Sequence, residues 1–304
     1  MRARPIAIAI LLLAAVPPAH ARERTTIAKL RGAQRIATYG GVTAVSIRAG
    51  TRYALAVVER DGTVRRLEAP TRTEPFDADA GPDTRGRPVV VYSRDGDLVI
   101  DRLRGAGPEP IRTASTTTAD ESEPSVWRGR IAWETDDGVL TRNRLLARTT
   151  PSRRVPGVPR HADVVQVEVH RRLIATSAYQ GRPDPDIQPQ HVRLFDLASG
   201  RSRRVWVNRA GIAGQRIVGL SFARGWLGFH RSCFGDPGGC LDGGARRHRV
   251  ADGRYEWTTA YRTLYGFALT RRGTVELTED GRLQRLAPPA WRPLPRNLRR
   301  RYAS

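Results

Sequence analysis

Arg128-Gly-Arg-Ile-Ala-Trp-Glu-Thr-Asp-Asp-Gly-Val-Leu140 aligns without a gap on Arg271-Arg-Gly-Thr-Val-Glu-Leu-Thr-Glu-Asp-Gly-Arg-Leu283. In each stretch a short alternating strand runs into an Asp-Gly turn, and a second strand leaves it. Asp-Gly supplies the positive φ that a two-residue hairpin turn demands. Asp61-Gly62 and Asp95-Gly96 repeat the pattern earlier in the chain. Two longer units lie between the aligned stretches, with corresponding strands at 173–178 and 226–230. The chain therefore divides into six units of about 34 to 55 residues, each with room for four strands.

Working outward, Tyr53-Ala-Leu-Ala-Val-Val58, Val89-Val-Val-Tyr92, Ile131-Ala-Trp133 and Val164-Val-Gln-Val-Glu-Val169 also read as strands. Apolar residues nowhere keep helical spacing for three clean turns. Repeated four-stranded units predict an all-β, six-bladed β-propeller rather than a sandwich. The expected blades are 41–71, 72–114, 115–157, 158–208, 209–260 and 261–287. The last unit is one strand short. Within an N-terminal segment 22–40, Gln34–Tyr39 is apolar enough to supply that strand and close the ring, which removes an open edge. Residues 288–304 read as an extended basic tail.

The N-terminus predicts export. Arg2 and Arg4 precede an apolar run from Ile6 to Val16, then Pro17-Pro18 and the small-residue pattern Ala19-His20-Ala21. Residues 1–21 fit a cleavable signal peptide, cut between Ala21 and Arg22. The run is too short for a hydrocarbon core that needs about 20 apolar residues. No other stretch has that length, so no membrane span is expected and the protein is placed outside the cytoplasm. Cys233 and Cys240 are an even pair flanking a turn-rich loop, which in an exported chain reads as one disulfide. Half of a zinc site is the rival, but His230 and His248 do not complete a ligand pattern.

The formal charge is +22 and the pI about 11.4. Lys29 is the one lysine among 52 basic residues, and arginine is scattered along every segment. Such usage, with abundant Ala, Gly, Pro and Val, fits the codon bias of a GC-rich genome. Solvated surface charge and attraction to an anionic envelope polymer both account for it. Nucleic acid is not expected as a partner, because the chain reads as exported and no aromatic stacking motif interleaves with the arginines.

Phe76-Asp-Ala-Asp-Ala-Gly-Pro-Asp-Thr-Arg-Gly-Arg-Pro-Val-Val-Val-Tyr-Ser-Arg94, together with Pro124-Ser-Val-Trp-Arg-Gly-Arg-Ile-Ala-Trp133, resembles exported actinobacterial propellers of the TolB-like, WD40-like kind. The resemblance spans about 40–290, with its specific part at 76–94, and departs from the group at Asp95, where relatives carry Cys. It implies interaction in the cell envelope more than catalysis, and fold analogy alone is a weak warrant for function.

Candidate chemistry is thin. Asp77, Asp79 and Asp83 crowd carboxylates ahead of a turn but lack the further ligands and late Glu of a calcium loop. On the inner strand of a blade they would instead bind neighbouring backbone and lock blade to blade. Asp120, Glu121, Glu123, Glu134, Asp136 and Asp137 offer the paired carboxylates of a glycosidase. His161, His170, His191, His230 and His248 fall in no metal spacing. Trp127, Trp133, Trp226 and Trp257 sit in strands and read as packing. No catalytic residue, cofactor or metal is predicted.

One face stands out. Second-to-third-strand turns share a face with the links between blades, and blades four and five replace that turn with long segments, 179–190 and 231–244. These neighbouring loops carry Arg182, Asp184, Asp186, Arg231, Asp236 and Asp242 as candidate ligand contacts. Tolerated surface insertion fits the same pattern. The functional expectation is a monomeric, non-catalytic binding or scaffold protein of the envelope or extracellular space, with an unidentified protein or anionic polymer as partner. The alternative is an extracellular hydrolase or lyase acting on a carbohydrate or anionic polymer. Acidic residues converging on the central channel would favour the enzyme.

Overall fold

The computed structural model describes residues 24–105, 107–111, 120–135, 138–143, 152–158, 163–179, 189–208, 215–233, 244–258, 263–287 and 291–294. Residues 1–21, Cys240, and the candidate contacts Arg182, Asp184, Asp186, Asp236 and Asp242 lie outside them. The described residues form six antiparallel sheets. The innermost strands, blade by blade, are Gln34–Tyr39, Ala78–Pro82, Ser122–Trp127, Asp163–His170, Gln215–Ala223 and Leu264–Thr270. The protein is a six-bladed β-propeller.

Packing explains the sequence pattern. Each sheet is buried on both faces, so alternate residues of one strand belong to different cores. Val89 and Val91 pack toward blade three with Ile131 and Trp133, whereas Val90 and Tyr92 pack toward blade one with Leu55 and Phe76. That is why Val89–Tyr92 reads as an unbroken apolar run. Each of the other four interfaces likewise has its own cluster. Close approach of the inner strands requires glycine. A Cβ on Gly81 would stand 2.0 Å from the Val126 carbonyl oxygen, and one on Gly219, at φ +65°, would stand 1.9 Å from that of Phe267.

The ring closes through an N-terminal strand, but a different one from that expected. Arg24–Lys29 pairs with Arg282–Leu286 as the outermost strand of blade six. Gln34–Tyr39 is instead the innermost strand of blade one, paired with Val42–Ala49. The repeat had slipped by one strand. Asp61-Gly62 separates the third and fourth strands of blade one, whereas Asp95-Gly96 and Asp280-Gly281 separate second from third. An Asp-Gly turn marks a hairpin without saying which hairpin. Arg24–Lys29 gave little signal because a rim strand is half solvated, and Ile27 and Ala28 are its apolar residues.

The C-terminal segment is also partly fixed. Arg292–Pro293 adds a fifth strand to blade five by pairing with Glu256 and Trp257. Leu294 is buried in the core between blades four and five. Trp291 lies over the Arg247 guanidinium at 4.3 Å, opposite Trp226 at 4.2 Å.

Candidate functional site

The inner strands enclose a narrow channel, and all but one of them carry the same defect. Register shifts fall between Gln34 and Ile36, Ser122 and Ser125, Val164 and Gln166, Val218 and Ser221, and Leu264 and Gly266. A bulge turns a side chain out of the alternating pattern. Arg35, Glu123, Val165 and Tyr265 thereby line the channel, with Asp77, Asp79 and Glu168. The lining is lopsided: blades one to three supply most of the charge, blades five and six mainly apolar groups and glycine. The channel's volume is about 90 Å³, enough for a few waters.

Four carboxylates converge here, and each is held by protein groups. Asp79 Oδ2 accepts from Val126 N and from Ser125 Oγ, both at 2.9 Å. Burial pushes its carboxyl up to about 6 against those hydrogen bonds. Ser125 in turn accepts from Val169 N at 2.9 Å. Glu168 is raised well above the usual range by burial and by Asp79. Gln166 Oε1 accepts from Leu220 N at 2.8 Å, and Ser221 Oγ from Leu269 N at 2.6 Å. From blade two to blade six, one inner-strand side chain reaches the next blade's backbone. The structural role expected for Asp77 and Asp79 is thus a repeated blade lock.

The channel opens on the link face into a pocket of about 550 Å³, lined by Arg35, Arg72, Glu74, Asp77, Glu123 and Arg216 among others. Asp77 is pinned by Arg72 Nη2 at 2.9 Å, Ser93 Oγ at 2.6 Å and Glu123 N at 2.9 Å. Arg72 also spans the Phe76 ring at 4.7 Å and donates to the Pro75 carbonyl. Glu123 pairs with Arg35 at 2.5 Å. Burial nevertheless outweighs that pairing and pushes its carboxyl up to about 8. Arg35 and Glu123 both stand at positive φ, 50° and 46°. For residues other than glycine this is uncommon backbone, of the kind that gathers at functional sites.

The remaining candidates disperse. Arg231 belongs to the strand Trp226–Cys233 and is 1 % exposed, so it is not presented on the loop that follows. That strand runs further than its sequence suggested. Both long segments do leave and rejoin the blades on the link face, at Tyr179 and Gln190 and at Cys233 and Gly244. The disulfide expected with Cys240 falls outside the described residues. Asp83, expected to share the blade lock of Asp77 and Asp79, does not: it sits at the opposite face and binds within its own hairpin, where the backbone N–H groups of Arg85 and Arg87 donate to it at 2.8 Å. Glu134 accepts from Val164 N at 3.0 Å and joins blade three to four. Glu121 is buried, and burial with the nearby Asp97 pushes it up to about 7. His230 is buried and pushed down to about 3. Among the described residues no cluster of three His, Cys, Asp or Glu is placed to hold a metal ion.

Arg35 is one of many arginines in the sequence, and only its strand context marks it. The available signal was Gln34-Arg35-Ile36, a charged residue interrupting an apolar strand.

No protein-family model and no curated protein matches the sequence. Solved structures do share the fold. The chain is similar to a GH74 xyloglucanase from Xanthomonas campestris, with a TM-score of 0.53 at 13% identity over 82% of this chain and 44% of that one. It thus spans less than half the xyloglucanase. It is similar to a chain of a nidogen/laminin complex, with a TM-score of 0.51 at 10% identity over 78% of this chain and 86% of that one. An oligogalacturonate lyase in complex with manganese gives a TM-score of 0.52 at 9% identity over 81% and 72%. The propeller is shared with carbohydrate enzymes and with a protein complex, and the fold alone does not choose between them.

Proposed function

We propose that this protein is an exported, non-catalytic binding or scaffold protein whose ligand sits at the link-face mouth of the channel. The observation that carries this reading is the state of the carboxylates. They converge, as an enzyme would require, but Asp77 and Asp79 are consumed in joining blade two to blade three. The 550 Å³ mouth offers paired charges and hydroxyls above a channel too narrow for a polymer. The resemblance of residues 76–94 to exported TolB-like propellers supports the same reading. The strand ends that bound the two long segments of blades four and five, Tyr179 and Gln190 and Cys233 and Gly244, lie on this same face.

Thermal-shift screening of the mature protein against envelope fractions and oligosaccharides tests it. A ligand that binds the native state raises the Tm by mass action. Replacing Arg35 with Gln, or shortening both long loops to Asp-Gly, should abolish the shift while leaving the fold intact. An unchanged shift in both variants would place the ligand elsewhere.

Glu123 favours a second reading, a hydrolase or lyase. A carboxyl held protonated near neutral pH at the mouth of a pocket is suited to general-acid work. Release of reducing ends or unsaturated uronate from a polysaccharide, lost on Glu123→Gln, would replace the binding reading with this one.

A further inference from the structure

The opposite mouth of the channel is built differently. There the first-to-second-strand hairpins of every blade but the first carry arginine: Arg85, Arg128, Arg171, Arg224 and Arg271. All of these are exposed. Arg128, Arg171 and Arg224 occupy the same left-handed turn position in three neighbouring blades, at φ 45°, 57° and 49°. Two-residue hairpins favour Asn, Asp or Gly at such positions. Codon bias explains an abundance of arginine but not its recurrence at one disfavoured position around one mouth. Asp83, the acid in these hairpins, is already bound by Arg87 at 2.8 Å.

Inside this ring lies a row of aromatic side chains from four different blades. Tyr39 meets Trp127 edge-on at 6.0 Å, Trp127 lies 3.9 Å from His170, and His170 lies 5.4 Å from Phe222. All four are half-buried. Tyr39 and Trp127 meet across the end of blade two because its inner strand finishes on Gly81-Pro82. Arg171 and Arg271 approach from blades four and six, and both act on the His170 ring. The sequence suggested that aromatics and arginines do not interleave. In the folded ring they do.

We propose that this mouth is a binding surface for an acidic polysaccharide, whose carboxylates meet the arginine ring while a sugar face rests on the aromatic row. Guanidinium forks match carboxylates with paired hydrogen bonds, which point-charge lysines do not. The aromatic rings present an apolar body to the C–H face of a sugar. Their planes are tilted by 46°, 32° and 87° to one another. Such a row offers no parallel platform for successive flat bases, and that favours puckered sugars over nucleic acid. A lipid surface would call for an exposed apolar wedge. Among the described residues the exposed large hydrophobic side chain is Val64, on the outer strand of blade one. This surface is separate from the link-face site and stands without it.

The test uses the mature protein with polygalacturonate as probe, beside dextran, single-stranded DNA and phosphatidylglycerol vesicles. Polygalacturonate should bind with salt-sensitive affinity and dextran should not. Arg171→Gln/Arg271→Gln should weaken binding at least tenfold, while the charge-matched pair Arg48→Gln/Arg52→Gln on the link face leaves it unchanged. Burial, and after it Arg171 and Arg271, hold the His170 pKa down to about 4; by NMR the titration should move upward when the polymer is bound, because its carboxylates offset the two arginines. Equal weakening by both arginine pairs, or an unmoved His170, would reduce the effect to net charge and overturn the proposal. Tighter binding of DNA or vesicles than of polygalacturonate would also overturn it.

Discussion

The two mouths of one channel use the same residue type for opposite purposes. On the link face, Arg72 is committed to the Asp77 carboxylate, which is joined to the next blade as well. On the turn face, Arg128, Arg171, Arg224 and Arg271 are exposed around an aromatic floor. A charge that comes to rest against a buried partner is structure. One kept in water beside a stacking surface is available to a ligand.

The largest expected contrast is in stability. Arg72→Ala leaves the Asp77 carboxylate buried without its cation and should cost about 1–3 kcal/mol. Arg271→Ala on the other mouth should stay within about 0.5 kcal/mol. Urea unfolding of both variants checks the difference, and equal losses would break the comparison. Asp79→Ala, which strands Val126 N and Ser125, should likewise cost about 1–3 kcal/mol.

A smaller effect lies in pH dependence, where the two mouths pull in opposite directions. Glu123 has a folded pKa raised to about 8 from 4.5, so the native state holds the extra proton and stability falls as pH rises across that interval. His170 has a folded pKa lowered to about 4 from 6.5, so the unfolded state holds more protons and stability falls as pH drops below about 6.5 toward 4. Glu123→Gln should flatten the alkaline limb, and His170→Gln the acidic one. The smallest effect is local: Arg271→Gln should raise the His170 pKa while barely moving the Tm.

Much of the fold is legible in the sequence. Alternating strands and Asp-Gly turns carry local physics, and blade count follows from their repetition. Phase was harder, because Asp61-Gly62 looks the same whichever hairpin it closes. The weakly apolar strand Arg24–Lys29 could not announce itself, since its partner Arg282–Leu286 lies at the far end of the chain. The lock formed by Asp77 and Asp79 was legible, because buried acids on an inner strand must find donors.

The sequence by itself determined the repeat and the all-β class, both properties of neighbours along the chain. Tertiary structure alone decided which arginines are spent and which are exposed. It brought Tyr39, Trp127, His170 and Phe222 into one row, although long stretches of chain separate them. A ring closure places the same turn of every blade around one axis, and no local pattern encodes that meeting.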